Sequence, residues 1–387
     1  MQLDLLTSRG ATPKKGTPLD WPIALLILMV PISLWATFDV GFSMRRVLGL
    51  MLGVAAYYAT VAYVRDERSL AQVLLLYVGM GTAVGILGLV GTRWLLKNPL
   101  LSFIVSRLPR LIRGLPGASR GFHPNEVAGV LLWVVPLQWV WLVWLWRRGQ
   151  GKTRAAGLLL LSTLLTTGTF LFTQSRGAFL GLAIWLAMWG ACSDRRLRIC
   201  VGAILAAGLA LVAWKGPLWI DMTLREGLAP QILGELNWDF RVRVWREALR
   251  GIQDFPLTGM GMGAFRHTVR VFYPLSIIPT YDIAHAHNAF LQAALDLGLP
   301  GLGAYAAIWL LIARTAVSCL RQAKGWLRAL ALGLAGCLFS CFVYSLLDAV
   351  ALGASPGFIW WMMLGMIVSL ERLCQGRVMI ELTPSGA

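Results

Sequence analysis

AAGLLLLSTLLTTGTFLFTQSRGAFLGLAIWLAMWGAC, residues 155–192, reads as two apolar runs joined by a tight turn, with Arg176 as its single charged residue. Each run approaches the roughly twenty residues that a helix needs to cross a hydrocarbon core about 30 Å thick. The pattern recurs along the chain. Of 387 residues, 57% are hydrophobic and only 14% are charged. A soluble domain of this length cannot hide that much apolar surface. The expected fold is an all-α polytopic membrane protein with ten spans: 21–37, 45–64, 70–91, 126–146, 155–173, 177–192, 199–214, 288–313, 327–346 and 356–373. A re-entrant or split helix would raise the count to eleven or twelve.

Basic residues orient these spans. Arg147, Arg148, Lys152 and Arg154 fill one short connection, Arg195, Arg196 and Arg198 a second, and Arg314, Arg321, Lys324 and Arg328 a third. If these three face the cytoplasm, an even span count places both termini there too, beside Lys14, Lys15, Arg372 and Arg377. Lys14 and Lys15 precede an apolar run without a small-residue cleavage site, so the first span is expected to be retained. Three parts follow. Residues 1–214 form an N-terminal bundle with an external segment at 92–125; residues 215–286 form a large external loop holding an amphipathic helix at 236–254; residues 287–387 form the C-terminal spans.

The net charge of +17 is spread over loops, which suits lipid headgroups or an anionic substrate and not nucleic acid. The six cysteines have no metal-ligand spacing to a histidine and read as packing residues of the spans. All four histidines, His123, His267, His285 and His287, fall on the external side with Arg176 and the arginine-rich loop. A pore has no reason to gather its titratable groups on one face, whereas an enzyme acting on a charged substrate there does.

In the loop helix, Trp238, Val242, Trp245, Leu249 and Ile252 recur at helical spacing and are expected to face the bundle or the bilayer interface. Arg243, Arg246 and Arg250 fall on the opposite face, where solvated or headgroup-contacting side chains are the plain reading. Arg241 sits at the edge of the apolar stripe, about 40° from Trp245 at roughly 100° per residue. An anion held between loop and bundle accounts for it better than snorkelling does. Arg176, level with the external face, either anchors a helix end or meets the pyrophosphate of a membrane lipid. His287 and Asn288 lie near a helix N-terminus, whose partial positive charge favours a neutral imidazole suited to a general base; the plain alternative is capping. His285 and His287 offer half of a metal site, with few acids placed to complete it. The run Gly259-Met260-Gly261-Met262-Gly263 reads as a flexible turn without a phosphate-loop lysine.

Gln174-Ser175-Arg176-Gly177-Ala178, the Arg241-to-Trp245 helix followed by Pro256-Leu257-Thr258-Gly259-Met260-Gly261, and His287-Asn288-Ala289-Phe290-Leu291 with Gly298 and Gly301 resemble the O-antigen ligase and O-antigen polymerase superfamily. His123-Pro124-Asn125-Glu126 is similar to another recurrent piece of it. The resemblance covers about residues 120–305 and rests on the ordered set. It implies an inverting glycosyltransferase of the bacterial inner membrane, without metal, cofactor or nucleotide sugar. The implied donor is an undecaprenyl-pyrophosphate-linked glycan; the acceptor is lipid A core or a second lipid-linked glycan, on the periplasmic face. Arg176 and Arg241 are then expected to bind the pyrophosphate, and His287 to act on the acceptor hydroxyl with His285 as backup. Arg243 and Arg266 become secondary phosphate contacts, Asn288 an orienter of His287, and His123 and Asn125 substrate-binding residues.

Two other readings stay open. A transporter or flippase for an anionic lipid-linked substrate would also line a path with arginine, although the spans are nearly free of charge at mid-depth. A glycosyltransferase using a lipid-monophosphate sugar and an acidic base would turn to Asp39.

Overall fold

The computed structural model describes residues 16–94, 99–108, 111–112, 121–208, 210, 238–273, 283–350 and 352–382. The named helices are α1 (Asp20–Ala36), α2 (Val40–Tyr63), α3 (Glu67–Gly91), α4 (Pro99–Val105), α5 (Pro124–Leu131), α6 (Val135–Arg147), α7 (Arg154–Phe172), α8 (Arg176–Ala191), α9 (Trp238–Asp254), α10 (Phe265–Phe272), α11 (Ala289–Gln322), α12 (Gly325–Leu347) and α13 (Gly357–Leu382). The protein is an all-α polytopic membrane protein. Among the described residues, seven helical stretches are long and apolar enough to cross a membrane, α5 and α6 counted as one over Pro124–Arg147. α1 and α8 are shorter, with 17 and 16 residues, and match the expected first and sixth spans. The expected seventh span is helical over 195–208; residue 209 and residues 211–214 lie outside the described residues, as do Lys14, Lys15 and the loop stretch 215–237.

Helices dominate because a backbone in hydrocarbon must satisfy its own hydrogen bonds. The ends are closed by side chains. Asp39 accepts from the Phe42 amide, Asp66 forms a reciprocal cap with Ser69, and Thr153 accepts from the Ala156 amide.

Two spans are broken, each next to a proline. Pro136, which has no N–H, restarts the fourth span after a turn at 132–134. The carbonyl of Trp133 is taken up there by the Tyr77 hydroxyl at 2.7 Å. In α11, Gly298 adopts φ 70° and ψ −178°, two residues before Pro300. The kink bares backbone groups, and the glycine run fills them. The Met260 amide donates to the Leu295 carbonyl and the Leu299 amide to the Pro256 carbonyl, both at 2.7 Å. Met260 and Met262 are buried, so 259–263 is a packed plug and not the flexible turn expected. A side chain at Gly298 would lie 2.4 Å from the Leu257 carbonyl oxygen. Gly298→Ala is therefore expected to cost more than the roughly 1–2 kcal/mol of the left-handed conformation alone, read as a lower melting temperature in detergent.

α8 and α12 run past each other in close contact. A Cβ on Gly181 would meet the Ser340 carbonyl oxygen at 2.5 Å, and one on Gly336 would meet the Trp185 indole at 2.4 Å. Small residues let the two backbones approach. This antiparallel pair brings the start of α8, with Arg176, to the same end as the close of α12, where Asp348 sits.

Outside the bundle, α9 and α10 share a small core with Ile283, Ala286 and Leu295. Here the expected stripe is corrected. The buried face of α9 is Phe240, Val244, Glu247 and Ala248, while Val242 and Leu249 are exposed. The helix packs on α10 and the α11 start through this face; half-buried Ile252 packs against the same core and Trp245 is half-buried too, while Val242 and Leu249 remain outside. α10 itself was not anticipated, since eight residues carry too little periodicity to read.

Candidate functional site

The starts of α5, α8 and α11 and the close of α12 converge at one end of the bundle, roofed by α9. Their centre is Asp348, 2% exposed, which follows α12 directly. Its Oδ2 accepts from Asn125 Nδ2 at 3.0 Å and faces the Arg241 guanidinium at 3.8 Å. Its Oδ1 accepts from the Ala349 amide at 2.9 Å and lies 3.3 Å from His287 Nδ1 and 3.6 Å from His285 Nε2. Burial alone would raise this carboxyl. The neighbouring His287, its hydrogen bond, and the charge of Arg241 outweigh that and hold Asp348 ionised, well below the usual carboxylate range.

An ionised Asp348 fixes the proton on the facing nitrogens. His287 presents Nδ1 to the carboxylate, so its Nε2 is turned away from Asp348. His285 differs: its Nδ1 accepts from the His287 amide at 3.2 Å, so its proton sits on Nε2, toward Asp348. His285 Nδ1 is thereby committed, while Nε2 faces Asp348 Oδ1 at 3.6 Å, beyond hydrogen-bond distance. The two rings lie 4.4 Å apart, and Phe240 of α9 closes edge-on over His287 at 5.7 Å.

Burial first, and then the neighbouring His287, push His285 down to about 3 from 6.5. Neutral His285 therefore stabilises the fold above about pH 6.5. That contribution is lost as the pH falls from there toward 3, because the unfolded chain takes up a proton that the folded chain refuses. Stability in detergent is expected to drop by up to about 1.4 kcal/mol per pH unit below 6.5 on this account. A His285→Gln variant should flatten that slope between pH 6.5 and 5; an unchanged slope would assign the acid sensitivity to other groups.

The backbone of this loop is held under strain. Among the described residues, His287 (φ 51°) and Gln174 (φ 53°) are the non-glycine residues with positive φ. Such conformations cost about 1–3 kcal/mol and gather at functional sites. A relay of amides holds the loop in place. Gln292 Oε1 accepts from the Ala286 amide at 2.9 Å, Gln292 Nε2 donates to Asp296 Oδ1 at 2.8 Å, and the same oxygen accepts from the Gly263 amide at 2.8 Å. The plug in the α11 kink and the histidine loop are thus one structure.

Each expected residue has a definite place. Arg176 is exposed at the start of α8, close enough to Arg241 for their charges to repel. Arg241 is 16% exposed beside Asp348. His123 caps α5, its Nδ1 accepting from the Asn125 amide at 3.3 Å, and lies near enough to His285 to act on its charge. Asn125 is buried, and its carbonyl accepts from the Tyr344 hydroxyl at 2.7 Å. Asn288 departs from its expected role. Its Oδ1 caps the Phe290 and Leu291 amides at 2.9 and 3.0 Å, and its Nδ2 donates to the Leu346 carbonyl. It locks α11 to α12 and orients His287 only through the chain. Arg243 lies on the exposed side of α9, and Arg266 is half-buried on α10. His267 stacks against Phe42 at 4.7 Å, away from the other histidines. Asp39 is occupied as the cap of α2.

The ligand atoms of His285, His287 and Asp348 lie within 4.8 Å of one another. The third ligand that the sequence reading lacked is therefore present. A divalent cation there would stand against Arg241, which already faces the same carboxylate, and would displace the hydrogen bond to His287.

A model of the O-antigen ligase family matches residues 161–306. Over this stretch the chain is similar to the O-antigen ligase family. A protein named O-antigen ligase from Pseudomonas aeruginosa is 27% identical over 169 residues, which are 44% of this chain and 37% of that relative. The chain thus spans little more than a third of that relative's length. Arg176, Arg241, His285, His287 and Asn288 fall inside the matched stretch. Asn125 and Asp348 fall outside it and join it only through the fold. Asp348 is the residue of this candidate site that the motifs missed. Its signal was faint: it is the one acid in 347–355, the short connection beyond the ninth span.

Proposed function

We propose that the protein is an inverting, metal-independent glycosyltransferase that moves a glycan from an undecaprenyl-pyrophosphate carrier to an acceptor hydroxyl on the periplasmic face. Both termini are then cytoplasmic, and the membrane is the bacterial inner membrane. The observation that carries this reading is the His287–Asp348–Arg241 arrangement, one carboxylate serving an imidazole through one oxygen and a guanidinium through the other. In this reading Asp348 sets the His287 tautomer, and Nε2 takes the proton of the acceptor hydroxyl. The oxygen then attacks the anomeric carbon, and the pyrophosphate leaves with the electron pair of the broken bond. Arg241 and Arg176 neutralise the charge that builds on that leaving group. His285, whose Nδ1 accepts from the His287 amide, supports the loop. Arg243 and Arg266 are secondary contacts for the outer phosphate or the glycan, and His123 and Asn125 border the acceptor side.

The test is transfer by purified protein in EDTA, with an undecaprenyl-pyrophosphate-linked glycan and either lipid A core or a second lipid-linked glycan. Transfer in EDTA is the expected result. The acceptor used separates a ligase from a polymerase. Labelled lipid that crosses the bilayer of proteoliposomes without transfer would make the protein a transporter instead.

Arg241→Lys is expected to fail nearly as badly as Arg241→Ala, by about 10²-fold or more in transfer rate. A planar guanidinium holds a phosphate through two parallel hydrogen bonds while facing Asp348, and a lysine point charge cannot do both. Wild-type-like transfer by the lysine variant would remove that role.

A further inference from the structure

At the end of the bundle away from the site, a cavity of about 420 Å³ opens between α3, α6, α7 and the start of α12. Its wall includes Leu75, Gln138, Trp141, Trp144, Ala155 and Trp326. The depth is set by α3. Ala71 lines the cavity, whereas the Gly91 carbonyl pairs with the Phe122 amide beside His123. Twenty helical residues separate the two positions by about 30 Å, one hydrocarbon thickness. The cavity and the site therefore belong to opposite leaflets.

The wall offers a hydrocarbon chain no competing polar partner. Gln138, its one amide, donates to Ser162 Oγ at 2.7 Å and accepts from Thr166 Oγ1 at 2.6 Å. Leu75 is 74% exposed at the mouth, toward the lipid. The volume lies in the range that takes up one small apolar ligand. Around the mouth the balance of charge is positive. Arg148 sits 5.7 Å from the centroid of the Trp144 ring, Arg154 precedes Ala155, and Arg68 and Lys152 are exposed at the same level. Asp194 pairs with Arg147; Glu67, which accepts from the Trp326 indole at 2.7 Å, and Asp66, which caps α3, keep their charges but are outnumbered by Arg68, Arg148, Lys152 and Arg154.

We propose that this cavity holds one acyl chain of an anionic phospholipid from the leaflet opposite the site, with its phosphate held by Arg148 and Arg154. A tryptophan-lined cleft crowned by basic residues suits the interfacial depth of such a headgroup. The polyprenyl donor is a poor fit, because its pyrophosphate is needed a bilayer away.

The experiment is photo-crosslinking of the purified full chain with phosphatidylglycerol carrying a diazirine in its acyl chain, followed by peptide mapping. Labelling is expected on 137–145 and 155–159. Unlabelled phosphatidylglycerol should compete about tenfold or more better than phosphatidylcholine, as two basic contacts imply. Ala155→Trp should abolish the label by filling the cavity, and Arg148→Ala with Arg154→Ala should erase the preference for phosphatidylglycerol. Label spread evenly over the lipid-facing helices of wild-type protein, or equal competition by the two lipids, would overturn the proposal without recourse to any variant.

Discussion

Replacing His287 by alanine is expected to lower glycan transfer by about 10²–10⁴-fold, the usual worth of a positioned general base. The loss should appear in kcat more than in KM, because in the proposed mechanism the ring acts on a proton in flight while the arginines bind the donor. His287 sits at φ 51°, a conformation that alanine adopts reluctantly, so part of any defect in that variant is backbone strain of about 1–2 kcal/mol. Asparagine tolerates the left-handed region, which makes His287→Asn the cleaner test. It should keep a melting temperature near wild type and still lose transfer by a similar factor. Activity within tenfold of wild type in the asparagine variant would remove the base role and leave Asp348 to be tested in its place.

The second large effect belongs to Asp348. Asp348→Ala withdraws a carboxylate that accepts from Asn125 and the Ala349 amide and faces Arg241 and His287. The guanidinium, 16% exposed, loses its counter-charge. Removing one partner from a buried ion pair costs about 3–5 kcal/mol, so a clear drop in melting temperature is expected. Asp348→Asn keeps the shape but removes the charge and turns one accepting oxygen into a donor, so it keeps the bonds on one side of the carboxylate and loses those on the other. It should fold with a smaller penalty and lose transfer by about 10³–10⁴-fold, because an amide no longer dictates which nitrogen of His287 carries the proton. Combining Asp348→Asn with His287→Asn should cost little more than either alone, since the two act as one unit. Additive losses would show that Asp348 serves only Arg241.

Much of this was legible before any coordinates. Long apolar runs specify spans because hydrocarbon leaves the backbone one local solution, and that solution does not depend on partners. Arg176, Arg241 and His287 were readable for a related reason. A charge or a histidine beside an apolar run is costly unless something uses it. The reading failed where an assignment needed a neighbour. The stripe through Val242 and Leu249 was real, but the helix buries Phe240, Val244 and Ala248 instead, since the choice between two faces rests with α10 and the α11 kink. The glycine run looked flexible in isolation and became a plug because Gly298 opens the backbone opposite it.

The sequence by itself determined the helical membrane architecture and the side on which its arginines and histidines gather, because hydropathy and charge act residue by residue. Only the tertiary structure decided that Asp348 joins them. It lies 61 residues from His287 and 223 from Asn125, and only the close packing of α8 on α12 and the capping of α11 by Asn288 close those separations. A carboxylate's role is set by the charges within a few ångströms of it, and no spacing along the chain carries that distance.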